Sequence, residues 1–336
     1  MSVIFGGKKM KKIISKALLV LLSLSALTGC SKSNGIKIGI SKTVQHPALD
    51  SIEQGIIDEL TAAGIEASYD KQNANGDPAT AAQIANLFKS EKVTLSVGIG
   101  TPVAVALATA IKDSPVVFSC ITDPVSAGLV DSLESGKGNV TGLSDAIPTV
   151  QQIKQFAEIA NIKTLGYIYT SSEANSVSSL NLVKEGCEKA GIELITQSIT
   201  NSSELKQAAE AIVSSVDGFY LTTDNTVFSA LASLVQVCNR EKKPIYSGDV
   251  TGALEGGCFM ASGFNYYKAG RATGRMIKSI LDGASPESIP VMLITDPADS
   301  DLLFDLDAAA NCGIEISEEL LSYANYIIKD GVLTEK

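Results

Sequence analysis

The chain repeats its own order of elements. Pro115-Val116-Val117-Phe118-Ser119 is answered by Pro244-Ile245-Tyr246-Ser247, and Gly64-Ile65 by Gly191-Ile192. Corresponding segments lie about 125 to 129 residues apart and keep the same order. Self-similarity at that distance means two similarly built halves, not a solenoid of short repeats. Two unrelated domains would not preserve the order so closely.

Each half alternates short apolar runs with helical patterns. Residues 36–41 (IKIGIS) read as a buried parallel strand. Pro47 suits the first turn of a helix, where Leu49, Ile52, Ile56, Ile57 and Leu60 recur at helical spacing until Gly64. Further strands are expected at 66–70, 93–99 and 116–120, with helices at 79–88 and 103–111. The second half gives strands at 164–169, 194–199 and 218–222, with helices at 176–190, 203–213 and 227–238. Such alternation implies right-handed βαβ units and a parallel sheet. The expected fold class is α/β, with two Rossmann-like lobes joined by a hinge of several crossovers.

The remaining segments set the boundaries. Residues 139–146 (NVTGLSDA) read as an extended crossover, and 263–283 as a helix returning to the first lobe. Residues 289–294 would cross back, and 302–327 would add a short strand and a final helix. The first lobe is then 36–144 plus 262–288, and the second 145–261 plus 289–336.

Charge is unevenly placed. Net charge is −10, yet residues 1–29 hold five Lys and no acid, so the remainder carries −15. An acidic body argues against a nucleic-acid partner, because neutralising phosphates needs surplus Lys and Arg. Lys11, Lys12 and Lys16 precede an apolar run at 17–26. That run is too short to span a bilayer, which takes roughly 20 apolar residues, and fits the core of a signal peptide. Leu27-Thr28-Gly29-Cys30 resembles a bacterial lipobox, with Cys30 as the site of lipid attachment and 30–35 as a tether. Met10 offers an alternative start. These features place the protein outside the cytoplasm, anchored to a membrane by lipid.

Catalytic patterns are missing. One histidine, His46, rules out sites with two His ligands. There is no GxxxxGK[ST] and no GxSxG, and Gly98-Ile99-Gly100 lacks the third Gly of a dinucleotide loop. Residues 296–307 are Asp-rich but lack the spacing of a calcium loop; they read as a solvated loop leading into a strand. Five cysteines beyond Cys30 form no CxxC and read as small buried hydrophobes. The expectation is a binding protein, not an enzyme, with no cofactor or metal.

Polar clusters directly follow the strands. Ligands of parallel sheets bind outside the carboxyl ends of strands, so these clusters are the candidate site. The first half supplies Thr43, Thr101, Ser119, Thr122 and Asp123. The second supplies Tyr169, Glu173, Asn175, Ser176, Asp224, Asn225 and Asp249. Several open a helix, where backbone N–H groups and the helix dipole favour an anion. The same residue types also serve as plain N-caps.

IGISKTVQHPALDSIEQGIIDEL, VGIGTPVAVALA, ITDPVSAGLV, IYTSSEANS and TTDNTVFSAL resemble ABC-transporter substrate-binding lipoproteins, a family with tryptophan- and phenylalanine-binding members. The resemblance covers nearly all of 36–328. It implies a type I periplasmic-binding fold with the ligand between the lobes, an ABC permease and its ATPase as partners, and an amino-acid ligand. A zwitterion would have its carboxylate held by Thr101, Ser119, Thr122 and Ser176. Its ammonium would go chiefly to Asp224, with Asp249 and Glu173 as alternatives and Asn175 and Asn225 assisting. Tyr169, Phe264 and Tyr266 could wall its side chain, and His46 could reach the cleft mouth. A nucleoside or sugar receptor, or a signalling receptor of the same fold, remains the alternative.

Overall fold

The computed structural model describes residues 35–294 and 299–336. The basic segment, the apolar run and Cys30 lie outside the described residues, as do 295–298. Among the described residues, no helix is long and apolar enough to cross a membrane.

The first half runs β1 (Ile36–Lys42), α1 (Pro47–Ala62), β2 (Ala67–Asn73), α2 (Pro78–Glu91), β3 (Leu95–Ile99), α3 (Thr101–Ala110), β4 (Val116–Ser119) and β5 (Val140–Ser144). The second runs α4 (Thr149–Ala160), β6 (Thr164–Thr170), α5 (Ala174–Ala190), β7 (Glu193–Ile199), α6 (Leu205–Ile212), β8 (Gly218–Leu221), α7 (Asn225–Ser229), α8 (Leu231–Glu241), β9 (Ile245–Ser247), α9 (Val250–Ala253) and β10 (Met260–Phe264). The tail adds α10 (Tyr266–Leu281), β11 (Met292–Leu293), β12 (Ser300–Asp305), α11 (Leu306–Asn311), α12 (Glu318–Ser322), β13 (Tyr326–Lys329) and β14 (Val332–Glu335).

The repeat seen in the sequence is a repeat of topology. One sheet is ordered β2-β1-β3-β4-β5 and the other β7-β6-β8-β9-β10, every pair within these runs parallel. Each lobe is one such sheet with helices on both faces. Ile38, Ile40, Val97, Ile99 and Val117 are fully buried, as strands covered on both sides require. β12 to β14 extend the second sheet beyond β10, with β12 antiparallel to it.

α10 follows the second sheet yet packs on the first lobe, beside α1. Its approach is backbone to backbone. A Cβ on Gly270 would lie 2.3 Å from the Ile52 carbonyl oxygen, and one on Gly55 would lie 2.3 Å from that of Tyr267. Only glycine permits this spacing.

Several sequence expectations shift. Residues 139–146 are not only a crossover: Val140–Ser144 is the fifth strand, buried throughout. Residues 260–264 are its counterpart β10, so the helix begins at Tyr266 and the expected boundary at 262 moves past Phe264. Met292–Leu293 pairs with β5 at the edge of the first sheet, so the chain returns to the second lobe beyond 293 and not at 289. The single helix expected at 227–238 is two, broken at Ala230 (φ −125°, ψ 20°). The Asp-rich stretch supplies β12, whose Asp305 is buried and caps α11 by accepting from Asp307 and Ala308 N–H.

Candidate functional site

The carboxyl ends of both sheets face one cavity. The first lobe lines it with His46, Ala48, Leu49, Thr101, Cys120 and Thr122; the second with Asn175, Thr223, Asp224, Asn225, Phe228 and Asp249. Asp145, just past β5, and Tyr266, just past β10, complete it from the crossing segments. Its empty volume is ≈ 380 Å³, open solvent at the mouth included. The lobes touch across it: Thr122 and Thr223 hydroxyls lie 2.7 Å apart, and the Ser178 hydroxyl donates to Asp123 Oδ2 at 2.6 Å.

Six of the twelve expected residues line this space: Thr101, Thr122, Asn175, Asp224, Asn225 and Asp249. The other six stand behind it or beside it. Thr43 donates to the Ile99 carbonyl (3.3 Å), and Ser119 pairs with the Thr273 hydroxyl (2.7 Å). Asp123 is occupied by Ser178, and Tyr169 stacks on Tyr167 within β6. Ser176 donates to Asp224 Oδ2. Glu173 accepts from Thr226 N–H (3.0 Å) and hydroxyl (2.6 Å) and from the Asn225 amide (2.6 Å), which makes it an anchor for α7.

The acids differ in their partners. Asp224 Oδ1 accepts from Thr170 Oγ1 (2.8 Å) and Val227 N–H (3.0 Å); Oδ2 accepts from Thr170 N–H (2.7 Å) and Ser176. Four donors fill it, so it serves as the N-cap of α7 and joins β6 to that helix. Asp145 is equally buried but has only two long contacts, from Thr122 Oγ1 and Tyr266 OH, both at 3.3 Å. Burial pushes its carboxyl up to about 6. Asp249 accepts from Gly252 N–H (3.1 Å), with His46 Nδ1 at 3.9 Å from its other oxygen. Burial raises this carboxyl as well, while His46 opposes the shift. Among the described residues, no Lys or Arg lines the cavity.

Two further features face the space. Asn175 Oδ1 is buried with no hydrogen-bond partner among the described residues, while its amide donates to the Thr223 carbonyl (3.0 Å) and to Glu173 Oε2 (3.2 Å). The start of α3 at Thr101 has no side-chain cap; Pro102 carries no N–H, which leaves the Thr101 and Val103 N–H groups for an anion. Asp145, Cys120, Thr223, Leu49 and Phe228 were missed from sequence. Asp145 follows a strand end, as Asp224 and Asp249 do, but its strand, VTGLS, mixes Gly and Ser into a short run and so gave only a weak signal.

Two α/β lobes of this topology, with a space lined by both between their carboxyl edges, define a type I periplasmic-binding fold. The family model "ABC transporter substrate binding protein" matches residues 37–328, and the chain belongs to that family. A tyrosine-binding protein from Clostridioides difficile (strain R20291) is 35% identical over 310 residues, covering 86% of this chain and 89% of that one. A Streptococcus pneumoniae ABC domain solved with L-Trp is 34% identical with a TM-score of 0.83, covering 88% of this chain and all of that one. The ligand-free, open structure of an adhesive substrate-binding protein from Clostridium difficile is 33% identical with a TM-score of 0.65, covering 87% and 99%. At nearly equal identity the chain superposes better on the L-Trp complex than on the open structure. The chain is thus the substrate-binding protein of an ABC transporter. Its cargo is a small molecule, its partner is the transporter, and it works outside the cytoplasm.

Proposed function

We propose that the cargo is a free amino acid with an aromatic side chain, bound without chemical change. The carrying observation is the pair Asp145 and Asp249: two buried carboxylates at the cavity with no full-strength cation partner among the described residues. An unpaired buried charge is expensive, and an ammonium group from the ligand would offset that cost. The ligand carboxylate would lie against the uncapped start of α3, with the Thr101 hydroxyl. The corresponding helix start in the second lobe, that of α7, is already capped by Asp224 and Glu173, which supports placing the carboxylate end toward the first lobe. Ala48, Leu49, Phe228 and Tyr266 supply apolar wall for a ring. The tyrosine and L-Trp named for two relatives fit this layout.

This reading moves the ammonium from Asp224, the first choice from sequence, to Asp145 and Asp249. Titration calorimetry with L-tyrosine, L-tryptophan and L-phenylalanine tests it, with their N-acetyl forms as controls. At least one free amino acid should bind, and its N-acetyl form should not. Equal binding of the two forms would sink the ammonium assignment.

We also propose that residues 1–29 export the chain and that Cys30 carries a lipid that anchors it. Cys30→Ala should release the protein from membranes or block processing; a wild type found wholly in the soluble fraction rules the anchor out.

A further inference from the structure

His46 is the chain's one histidine, held at the start of α1 in the first lobe. Its Nδ1 accepts from Ala48 N–H (3.3 Å), which makes it the cap of that helix and fixes the ring. The ring itself reaches across the cleft. Its centroid lies 5.3 Å from that of Phe228, tilted by 57°. Its Nδ1 is 3.9 Å from Asp249 Oδ2. Its Nε2 lies 3.0 Å from where a Cβ on Gly252 would stand, and that same Cβ would be 2.9 Å from the Phe228 ring. Phe228, Asp249 and Gly252 all belong to the second lobe. The ring therefore occupies a notch that exists because residue 252 has no side chain.

His46 and Phe228 also border two spaces. On one side is the ligand cavity; on the other is a groove of ≈ 1360 Å³, open solvent included, between residues 45–47, the α7–α8 corner and the segment after α9. The His46–Phe228 pair is thus part of the partition between the ligand and the outside. His46 is only 7% exposed although it sits at the protein's outer face of the cleft.

We propose that His46 is a latch, a positioning residue that docks into the Phe228–Gly252 notch when the lobes close and holds the ligand in. This rests on the reading of the cavity as an amino-acid site. A contact made only in the closed form slows escape more than capture, so it acts on the dissociation rate.

The test uses the exported chain without a histidine tag and follows L-tyrosine and L-tryptophan by stopped-flow fluorescence. His46→Asn keeps a short capping acceptor but loses the ring. Gly252→Ala fills the notch. Each should speed dissociation roughly 3- to 10-fold, the range for one aromatic contact, with association changed by less than about twofold. The double variant should be no faster than the single ones, because both act on one contact. Proton NMR gives a second readout, since one histidine yields one set of imidazole signals. These should shift when ligand saturates the wild type, under the Phe228 ring, and shift less in Gly252→Ala. Unchanged dissociation in both variants, additive effects, or imidazole signals unmoved by saturating ligand would each overturn the latch while leaving the functional reading intact. A wild type that takes none of L-tyrosine, L-tryptophan and L-phenylalanine overturns the functional reading, and the latch falls with it.

Discussion

Two buried aspartates, each just beyond a strand, differ in what surrounds them. Asp224 has four donors on its carboxylate, whereas Asp145 has two long contacts and open space. Asp145→Asn should therefore weaken amino-acid binding by roughly 30-fold or more, since losing one side of a buried charge pair costs about 2–5 kcal/mol. Asp224→Ala should act mainly on folding. It strands buried donors on Thr170, Ser176 and Val227, at about 1–3 kcal/mol for each group left unsatisfied, and a fall in melting temperature should appear without ligand. Melting at normal temperature combined with lost binding in Asp224→Ala would return the ammonium to that residue. The pH dependence follows from the same site. Asp145 is held up at about 6 by burial, above the usual carboxylate range, so the folded state takes its proton more readily than the unfolded chain. Its contribution to stability is fully present below the unfolded pKa and is lost as pH rises through about 6. Ligand affinity runs the other way, because an ammonium needs the ionised carboxylate. Affinity should fall as pH drops below about 6, and binding near that pH should release protons. Calorimetry in two buffers of different ionisation enthalpy measures this directly; equal heats would show that Asp145 keeps its proton state on binding.

At the scale of elements, the strands with long β-branched runs were legible, such as IKIGIS, and so were helices with a Pro at the first turn. β5 and β10 were harder to read. Their sequences, VTGLS and MASGF, mix Gly and Ser into short runs, and their strand state comes from pairing with β4 and β9. The break at Ala230 was hidden because no Pro or Gly marks it; tertiary anchoring is hidden too, as where Glu173, from the loop before α5, holds the first turn of α7. The site was half legible for the same reason. Sequence shows which hydroxyls and acids follow strands, but not that Glu173 and Asp224 are already saturated by their neighbours. The return of α10 to the first lobe was legible, and its glycines explain the fit. Gly270→Ala would place a methyl against the Ile52 backbone, where neither helix can yield without moving. Overpacking of this kind costs about 1–3 kcal/mol. Thermal melts should drop by roughly 2–4 °C for each kcal/mol; an unchanged melt would mean that α1 and α10 separate at no cost.

At the scale of the whole molecule, few contacts hold the two lobes together across the cleft. Thr122 meets Thr223, Asp123 meets Ser178, and His46 meets Phe228 and Asp249. The neutral Thr122–Thr223 bond is worth only about 0.5–1.5 kcal/mol net and the one to the Asp123 carboxylate about 1.5–3 kcal/mol, so closure without ligand is weakly favoured at best. It also buries Asp145 and Asp249 without a full cation partner, which opposes it. A bound amino acid changes that balance by pairing with these acids while its carboxylate touches the first lobe. Only the closed form makes both sets of contacts, so the ligand shifts the population toward it. Small-angle scattering should show a larger radius of gyration for the ligand-free protein, falling as the amino acid is added. The Asp145→Asn variant separates charge from closure. It removes the buried charge that resists closing, so its ligand-free form should be more compact than that of the wild type even though it binds more weakly. A wild-type radius that stays constant from zero to saturating ligand would mean that the lobes are already fixed, and that the cavity fills by local opening of its walls.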